Sequence, residues 1–301
     1  MSMVVFASLG RRNSLGIFYK LCRHGHVIDG LKFYPEINKI GQNVDLVTCN
    51  ELVSVLCKKG KPRQAELFVE HMVRMKLTPD ITTFNCIINS FAEKGDSLGV
   101  LSIYDKMVQQ LIRPNKYTYH GLLRGLCSGG NLDEAKKVFA ALHSAPSAVD
   151  RITYNILLQG ICSSGNLEDA LKFCDDMVEK NIFPDTHTYT FLIAGFCQKG
   201  SVVPAIILFQ KMMEKALFPS NVAYNCLIQT LIKDGQLKAA SFLFWEIMKK
   251  DNLAPDSTVF NTMVDGYAGC GEIEKAEKFV SLMKKKGFTP ANKHVTDAAL
   301  D

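Results

Sequence analysis

Apolar positions along this chain fall at helical spacing, in short stretches that stop and restart on a fixed beat. Between residues 151 and 185, Tyr154, Leu157, Leu158 and Ile161 lie along one face of a helix. Gly165 then interrupts, and glycine reaches the left-handed conformation that ends helices. Leu167, Ala170, Phe173, Cys174 and Met177 form a second stripe. Pro184 closes the unit and biases Phe183 away from helix. The spacing predicts helix, tight turn, helix, loop. No strand-like alternation interrupts it, so the chain reads as all α.

The same unit recurs. Segments in register cover 46–80, 81–115, 116–150, 151–185, 186–220, 221–256 and 257–291; each has 35 residues except 221–256, which carries one more near Asp251. The fifteenth position is Gly60, Gly95, Gly130, Gly165, Gly200, Gly235 and Gly271. The twentieth is Ala65, Val100, Ala135, Ala170, Ala205, Ala240 and Ala276, as a close helix–helix contact requires. The fourth is Cys49, Phe84, Tyr119, Tyr154, Tyr189, Tyr224 and Phe260. A proline stands one before the end at Pro79, Pro114, Pro184, Pro219, Pro255 and Pro290. One hairpin cannot bury both of its stripes, but stacked neighbours can. A degenerate copy over 11–45 keeps Leu21, Cys22 and Gly25, with Leu15 at its fifth position. The expected organisation is an N-terminal segment 1–45, seven repeats over 46–291, and the start of a truncated repeat over 292–301.

Composition changes this picture little. Of 301 residues, 47% are apolar and 22% charged, which is folded rather than disordered chemistry. The net charge of +5 permits a polyanionic partner without demanding one. No apolar run is long enough for a membrane-spanning helix. The ten cysteines contain no CxxC pair and the seven histidines are scattered, so neither a metal nor another cofactor is expected. The cysteines read as small apolar residues in a reducing compartment. Cys57, Cys127, Cys162 and Cys197 share position twelve, and Met72, Met107, Met177, Met212 and Met283 share position twenty-seven; both columns are expected in the core. Lys284, Lys285 and Lys286 suit the negative end of a helix dipole. The first 28 residues lack Asp and Glu but hold Arg11, Arg12, Lys20 and Arg23. That is the composition of an organelle transit segment, or equally of a first degenerate helix.

The segments "RITYNILLQGICSSGNLEDALKFCDDMVEKNIFPD" and "THTYTFLIAGFCQKGSVVPAIILFQKMMEKALFPS" resemble pentatricopeptide repeats of the plain P type. Their style, with aromatic, Asn or Thr, two aliphatics, Gly and Cys in the first helix, is similar to the restorer-of-fertility-like branch in plants. The resemblance implies a right-handed superhelical solenoid of stacked helix-turn-helix repeats that binds single-stranded RNA, one base per repeat. It implies an organellar protein, mitochondrial or alternatively plastid, acting on a transcript by occupancy. In the family the fifth residue of the first helix and the last residue of the repeat share the base edge. Here those pairs are Asn50 with Asp80, Asn85 with Asn115, His120 with Asp150, Asn155 with Asp185, Thr190 with Ser220, Asn225 with Asp256, and Asn261 with Ala291. The second residue packs on base faces: Val47, Thr82, Tyr117, Ile152, His187, Val222 and Thr258. By the family's code, Asn with Asp favours U, Asn with Asn favours C, and Thr with Ser leans to A; His with Asp and Asn with Ala fall outside the common pairs. Position thirteen, often basic in the family, is here Lys58, Glu93, Ser128, Ser163, Gln198, Lys233 and Gly269.

The residues themselves support such a site. The last residue immediately precedes the next first helix, so it lies at the same edge of the stack as position five. Asn, Thr, Asp and Ser offer complementary donors and acceptors, and a flat or apolar second residue can hold a base. A polar residue before a helix is otherwise an N-cap; the restricted identity of both columns argues for reading, and an Asp can do both. A protein-interaction scaffold is the competing function, and a truncated non-functional relative a third. No zinc triad or carboxylate cluster suggests an enzyme, and nothing suggests a small-molecule substrate.

Overall fold

The computed structural model describes residues 14–24, 26–31, 46–142, 149–249 and 255–289. Every regular element among them is a helix. The chain divides into two compact units, residues 1–160 and 161–301, with the division inside helix Arg151–Ser163. The first unit opens with Ser14–Arg23 and Val27–Leu31. Three hairpins follow: Leu46–Lys58 with Pro62–Arg74, Ile81–Glu93 with Ser97–Gln109, and Lys116–Ser128 with Leu132–Leu142. The second holds Leu167–Glu179 and three hairpins: Thr186–Gln198 with Val202–Glu214, Asn221–Lys233 with Leu237–Met248, and Ser257–Gly269 with Ile273–Lys285. The expected partial repeat after 291 and most of the degenerate copy lie outside the described residues.

Within each unit a first helix packs on its own second helix and on the next first helix. The stripes meet there. Phe84, Ile87, Ile88 and Phe91 are buried with Val100, Ile103 and Met107. In the second unit Phe244 meets Phe260 and Phe279 edge-on, with ring centroids 5.2 and 4.9 Å apart. All seven residues at position twenty are fully buried, and so is the methionine column. Of the position-twelve cysteines, Cys57 and Cys162 are buried, whereas Cys127 and Cys197 are only half-buried. Close packing of neighbouring repeats excludes even a methyl group at Gly125, where an added Cβ would lie 2.5 Å from Val100 Cγ2.

The two turns of each repeat differ. After a first helix the chain turns left-handed at glycine, as at Gly130 with φ 79°. Asn131 N then donates to Leu126 O at 2.8 Å and Gly130 N to Cys127 O at 3.2 Å, which satisfies the helix's last carbonyls. After a second helix the same conformation falls on Lys76, Leu111, Asn181 and Ala216, with φ between 55° and 60°, and on glycine only at Gly287 among the described residues. A left-handed side chain costs about 1–2 kcal/mol. An apolar residue follows in each case, namely Leu77, Ile112, Ile182, Leu217 and Phe288, all half-buried. That contact against the helix end offsets the strain.

Two substitutions separate conformation from packing. Leu111 is 90% exposed, so Leu111→Gly relieves strain without loss of contacts. It should stabilise the chain in urea by about 0.5–1 kcal/mol. An added Cβ at Gly130 meets nothing within 4 Å. Gly130→Ala should therefore destabilise by conformation alone, by about 1–2 kcal/mol. Equal losses from both changes would contradict this assignment.

Candidate functional site

Each first helix begins just after the last residue of the repeat before it, and its free N–H groups need an acceptor. The last residue supplies one. Asp80 accepts from Thr83 N at 2.8 Å, Asn115 from Thr118 N at 3.1 Å and Asp150 from Thr153 N at 2.9 Å. In the second unit Asp185 accepts from His187 N and Thr188 N, Ser220 from Ala223 N, and Asp256 from Val259 N. Three junctions also close the reciprocal arm, with Asn115 N and Asp185 N donating to the hydroxyls of Thr118 and Thr188 at 3.1 Å and Asp150 N to that of Thr153 at 3.3 Å. The last position is therefore an N-cap.

It also meets the fifth residue of its own repeat. Asn50 Nδ2 lies 3.4 Å from Asp80 Oδ2, Asn85 Nδ2 3.3 Å from Asn115 Oδ1, and Asn225 Nδ2 3.3 Å from Asp256 Oδ2. The hydroxyls of Thr190 and Ser220 lie 3.3 Å apart; Thr190 donates to its own helix at Thr186 O, so Ser220 is the donor. At the Asp80 and Asp256 junctions the labour is divided: one carboxylate oxygen caps and the other faces the asparagine. A well-formed N–H···O bond spans about 2.7–3.2 Å. The pair contacts are longer than that, while most caps are within it. The last side chain is thus held by the cap, and the pair retains hydrogen-bonding capacity for a third group.

The pair of His120 and Asp150 is tighter. His120 is buried, with Nε2 3.0 Å from Asp150 Oδ1 and 3.1 Å from Thr153 Oγ1. Burial raises the Asp150 pKa, but the amide and hydroxyl of Thr153 together with His120 outweigh it and hold the carboxyl below its usual value. Asn155 and Asp185 fall in different units. Asn261 is half-buried on helix Ser257–Gly269, and Ala291 lies outside the described residues.

The second-position residues Val47, Thr82, Tyr117, Ile152, His187, Val222 and Thr258 are all exposed, although four of them are large and apolar. Residues three apart share a helix face, so each second residue flanks its own fifth residue. Tyr117 shows this directly, its ring edge-on to His120 at 6.2 Å with Lys116 Nζ above it at 5.3 Å. The arrangement presents a flat or apolar surface beside each polar pair. Burial pushes the thiols of Cys127, Cys162 and Cys197 up to about 11, 12 and 11, so none is a thiolate at neutral pH. Among the described residues no group of His, Cys, Asp or Glu could hold a metal ion.

One participant escaped the sequence reading. The third residue of the next repeat reaches back into the pair: Thr83 Oγ1 donates to Asn50 Oδ1 and Thr118 Oγ1 to Asn85 Oδ1, both at 2.7 Å. These are the shortest contacts at their junctions. The signal was visible as a threonine column directly before the aromatic column, at Thr83, Thr118, Thr153 and Thr188, broken by Ala223 and Val259.

The sequence matches the PPR repeat family over residues 44–93, 79–128, 149–198, 219–269 and 255–293, and the single PPR repeat over 117–144 and 187–217. No curated protein sequence matches it. Among solved structures, the fold is similar to the pentatricopeptide repeat protein PPR10 in complex with an 18-nucleotide psaJ RNA element, with TM-score 0.70 at 21% identity over 94% of this chain and 41% of that one. It is also similar to PPR10 from maize, with TM-score 0.60 at 20% identity over 96% and 46%. A third likeness is nuclear proteinaceous RNase P 2 from A. thaliana, with TM-score 0.51 at 15% identity over 63% and 42%. The chain spans less than half the length of each.

The two roles of the last residue separate experimentally. Asp80→Ala removes the cap and should lower stability by about 1 kcal/mol, while Asp80→Asn keeps an equivalent acceptor and should change it by only a few tenths, to about 0.3 kcal/mol. Equal losses in urea would contradict the capping role. Asp150 binds its proton less tightly folded than unfolded. Its contribution is therefore complete above the ordinary carboxylate value of 3.8 and is lost as pH falls through the lower folded value. Asp150→Asn should remove that part of the acid-side loss of stability.

Proposed function

The chain belongs to the pentatricopeptide repeat family, and from that premise we propose that it is a sequence-specific single-stranded RNA-binding protein reading one base per repeat. One observation carries the reading. A capped, immobilised last residue stands beside a fifth residue at a distance that leaves hydrogen-bonding capacity open, and an exposed second residue flanks the pair. That is what recognition of a base by edge and face needs. A likeness to PPR10, whose structure holds a psaJ RNA element, supports the choice of RNA as ligand.

In N-to-C order the pairs Asn50–Asp80, Asn85–Asn115, Asn155–Asp185, Thr190–Ser220 and Asn225–Asp256 read U, C, U, A and U, with one unassigned base between C and the second U. The unassigned base faces His120 and Asp150, where the His120 Nε2 and Asp150 Oδ1 atoms already meet each other and Thr153. The protein acts by occupancy, shielding or remodelling a transcript without cutting it. An organellar site of action, mitochondrial before plastid, is supported by the acid-free, arginine-bearing first 28 residues. The modest charge of +5 and the weakly basic position thirteen favour protein scaffolding as the second reading.

A gel-shift titration at fixed physiological salt decides between them. An RNA carrying UCNUAUN should bind about tenfold or more tightly than a composition-matched scramble or the matching DNA. Replacing Asn50 and Asn155 together by alanine should abolish that preference. Equal, weak and steeply salt-dependent binding to all three would overturn the code and favour the scaffold.

A further inference from the structure

We propose that the third-position threonine is a positioning residue: it fixes the amide orientation of the preceding repeat's fifth-position asparagine and so sharpens base choice. The inference rests on the RNA reading above and adds to it a residue that need not touch the base.

A hydroxyl has one proton and two lone pairs. At the best-defined junction, Asn115 N donates to Thr118 Oγ1 at 3.1 Å and fills a lone pair. The hydroxyl proton then goes to Asn85 Oδ1, at 2.7 Å. With its oxygen engaged, the Asn85 amide must turn its nitrogen toward Asn115 Oδ1, where it lies at 3.3 Å. At the first junction Thr83 Oγ1 lies 2.7 Å from Asn50 Oδ1 and 2.8 Å from Asp80 Oδ1, so its one proton is shared between two acceptors, while the Asn50 nitrogen again faces its partner, Asp80. Flipping either amide would set its carbonyl oxygen against the acceptor of its partner. An asparagine fixed this way presents one defined face to a base, and U and C differ at that edge by exchange of donor for acceptor.

The later repeats provide the internal contrast. Val259 occupies the third position after the pair of Asn225 and Asp256, and Asn225 Oδ1 is left buried without a hydrogen-bond partner. A buried acceptor lacking a donor is unfavourable, and neither amide orientation cures it there: one strands the oxygen, the other turns it on a carboxylate. Ala223 occupies the same position after the pair of Thr190 and Ser220. Thr190 orients itself by donating to Thr186 O at 2.7 Å, so this reader needs no outside donor. Threonine is thus present behind Asn50 and Asn85, dispensable behind Thr190, and missing behind Asn225.

The test uses the full chain with RNAs that differ only at the first or the sixth base of the series, U against C. Val259→Thr should raise the U-over-C ratio at the sixth base about fivefold, and Thr83→Val should lower it at the first base by about the same factor. Thr83→Ser, which keeps the hydroxyl, should restore the ratio. Binding to RNAs changed at other bases should stay constant, which a general packing defect would not allow. In the free protein, the side-chain amide protons of Asn50 should exchange faster in Thr83→Val by NMR, and those of Asn225 more slowly in Val259→Thr. Unchanged amide exchange overturns the positioning role, whether or not RNA binds. Altered exchange with an unchanged U-over-C ratio overturns the link to base choice. A parent chain that binds no RNA while its amides respond overturns the RNA reading and the base-choice clause together, leaving only the side-chain orientation.

Discussion

Every repeat junction turns on one interaction, the side chain of the last residue accepting the first free N–H groups of the next helix. The need is absolute, because a helix start presents donors with no partner of their own. Meeting it fixes where Asp80, Asn115, Asp150, Asp185, Ser220 and Asp256 point. A side chain already held in place loses little entropy when it takes part in recognition. The same constraint that starts the helix therefore builds the candidate site, and the fifth residue is brought to it by the hairpin that ends one residue earlier. Loss of a cap and loss of a reader are expected to coincide at alanine and to separate at conservative exchanges.

Much of this was legible in the chain because the fold is one unit repeated. A single apolar stripe is weak information, but Gly60, Gly95 and Gly130 at one spacing, with Ala65, Val100 and Ala135 five residues on, are strong. The left-handed glycine after the first helix follows from its chemistry. The left-handed Lys76, Leu111 and Ala216 after the second do not, since nothing in those side chains favours positive φ; of the four, Asn181 alone is a residue type that adopts it readily. The neighbours impose it, through the apolar residue that follows and the backbone bonds that close the helix. The threonine column escaped for another reason. A β-branched residue next to an aromatic reads as part of an apolar stripe, yet Thr118 and Thr153 are buried for their hydroxyls, which bond across a junction 33 residues apart. Sequence spacing shows faces of one helix; it does not show which polar atoms neighbouring helices share.

Cap and reader were competing interpretations of Asp80 and its counterparts. The geometry makes them compatible, at Asp80 and Asp256 by giving each role its own carboxylate oxygen and at Asn115 and Asp150 by letting one oxygen serve both. His120 is the exception that clarifies the rule. Its ring is buried, with Nε2 bound to both Asp150 and Thr153, so this pair is held more tightly than the asparagine pairs. A stack of this kind gains affinity by repetition, with stacking worth about 1–3 kcal/mol per base before ordering costs. On the RNA reading proposed above, selectivity would depend on how firmly each polar pair is held, and the pair distances differ from junction to junction.

The account's central claim is that the paired fifth and last residues choose the base. It is tested most directly by recoding one pair without disturbing its cap. Asn115→Asp converts the Asn85–Asn115 pair into the combination found at Asn50 and Asp80, and both residues cap equally well. Binding should be measured against two RNAs differing only at the second base of the series. The account predicts that preference switches from C to U, by about tenfold, with unchanged stability and unchanged discrimination at the other bases. Retained preference for C, or an equal change in affinity for both RNAs, would contradict it.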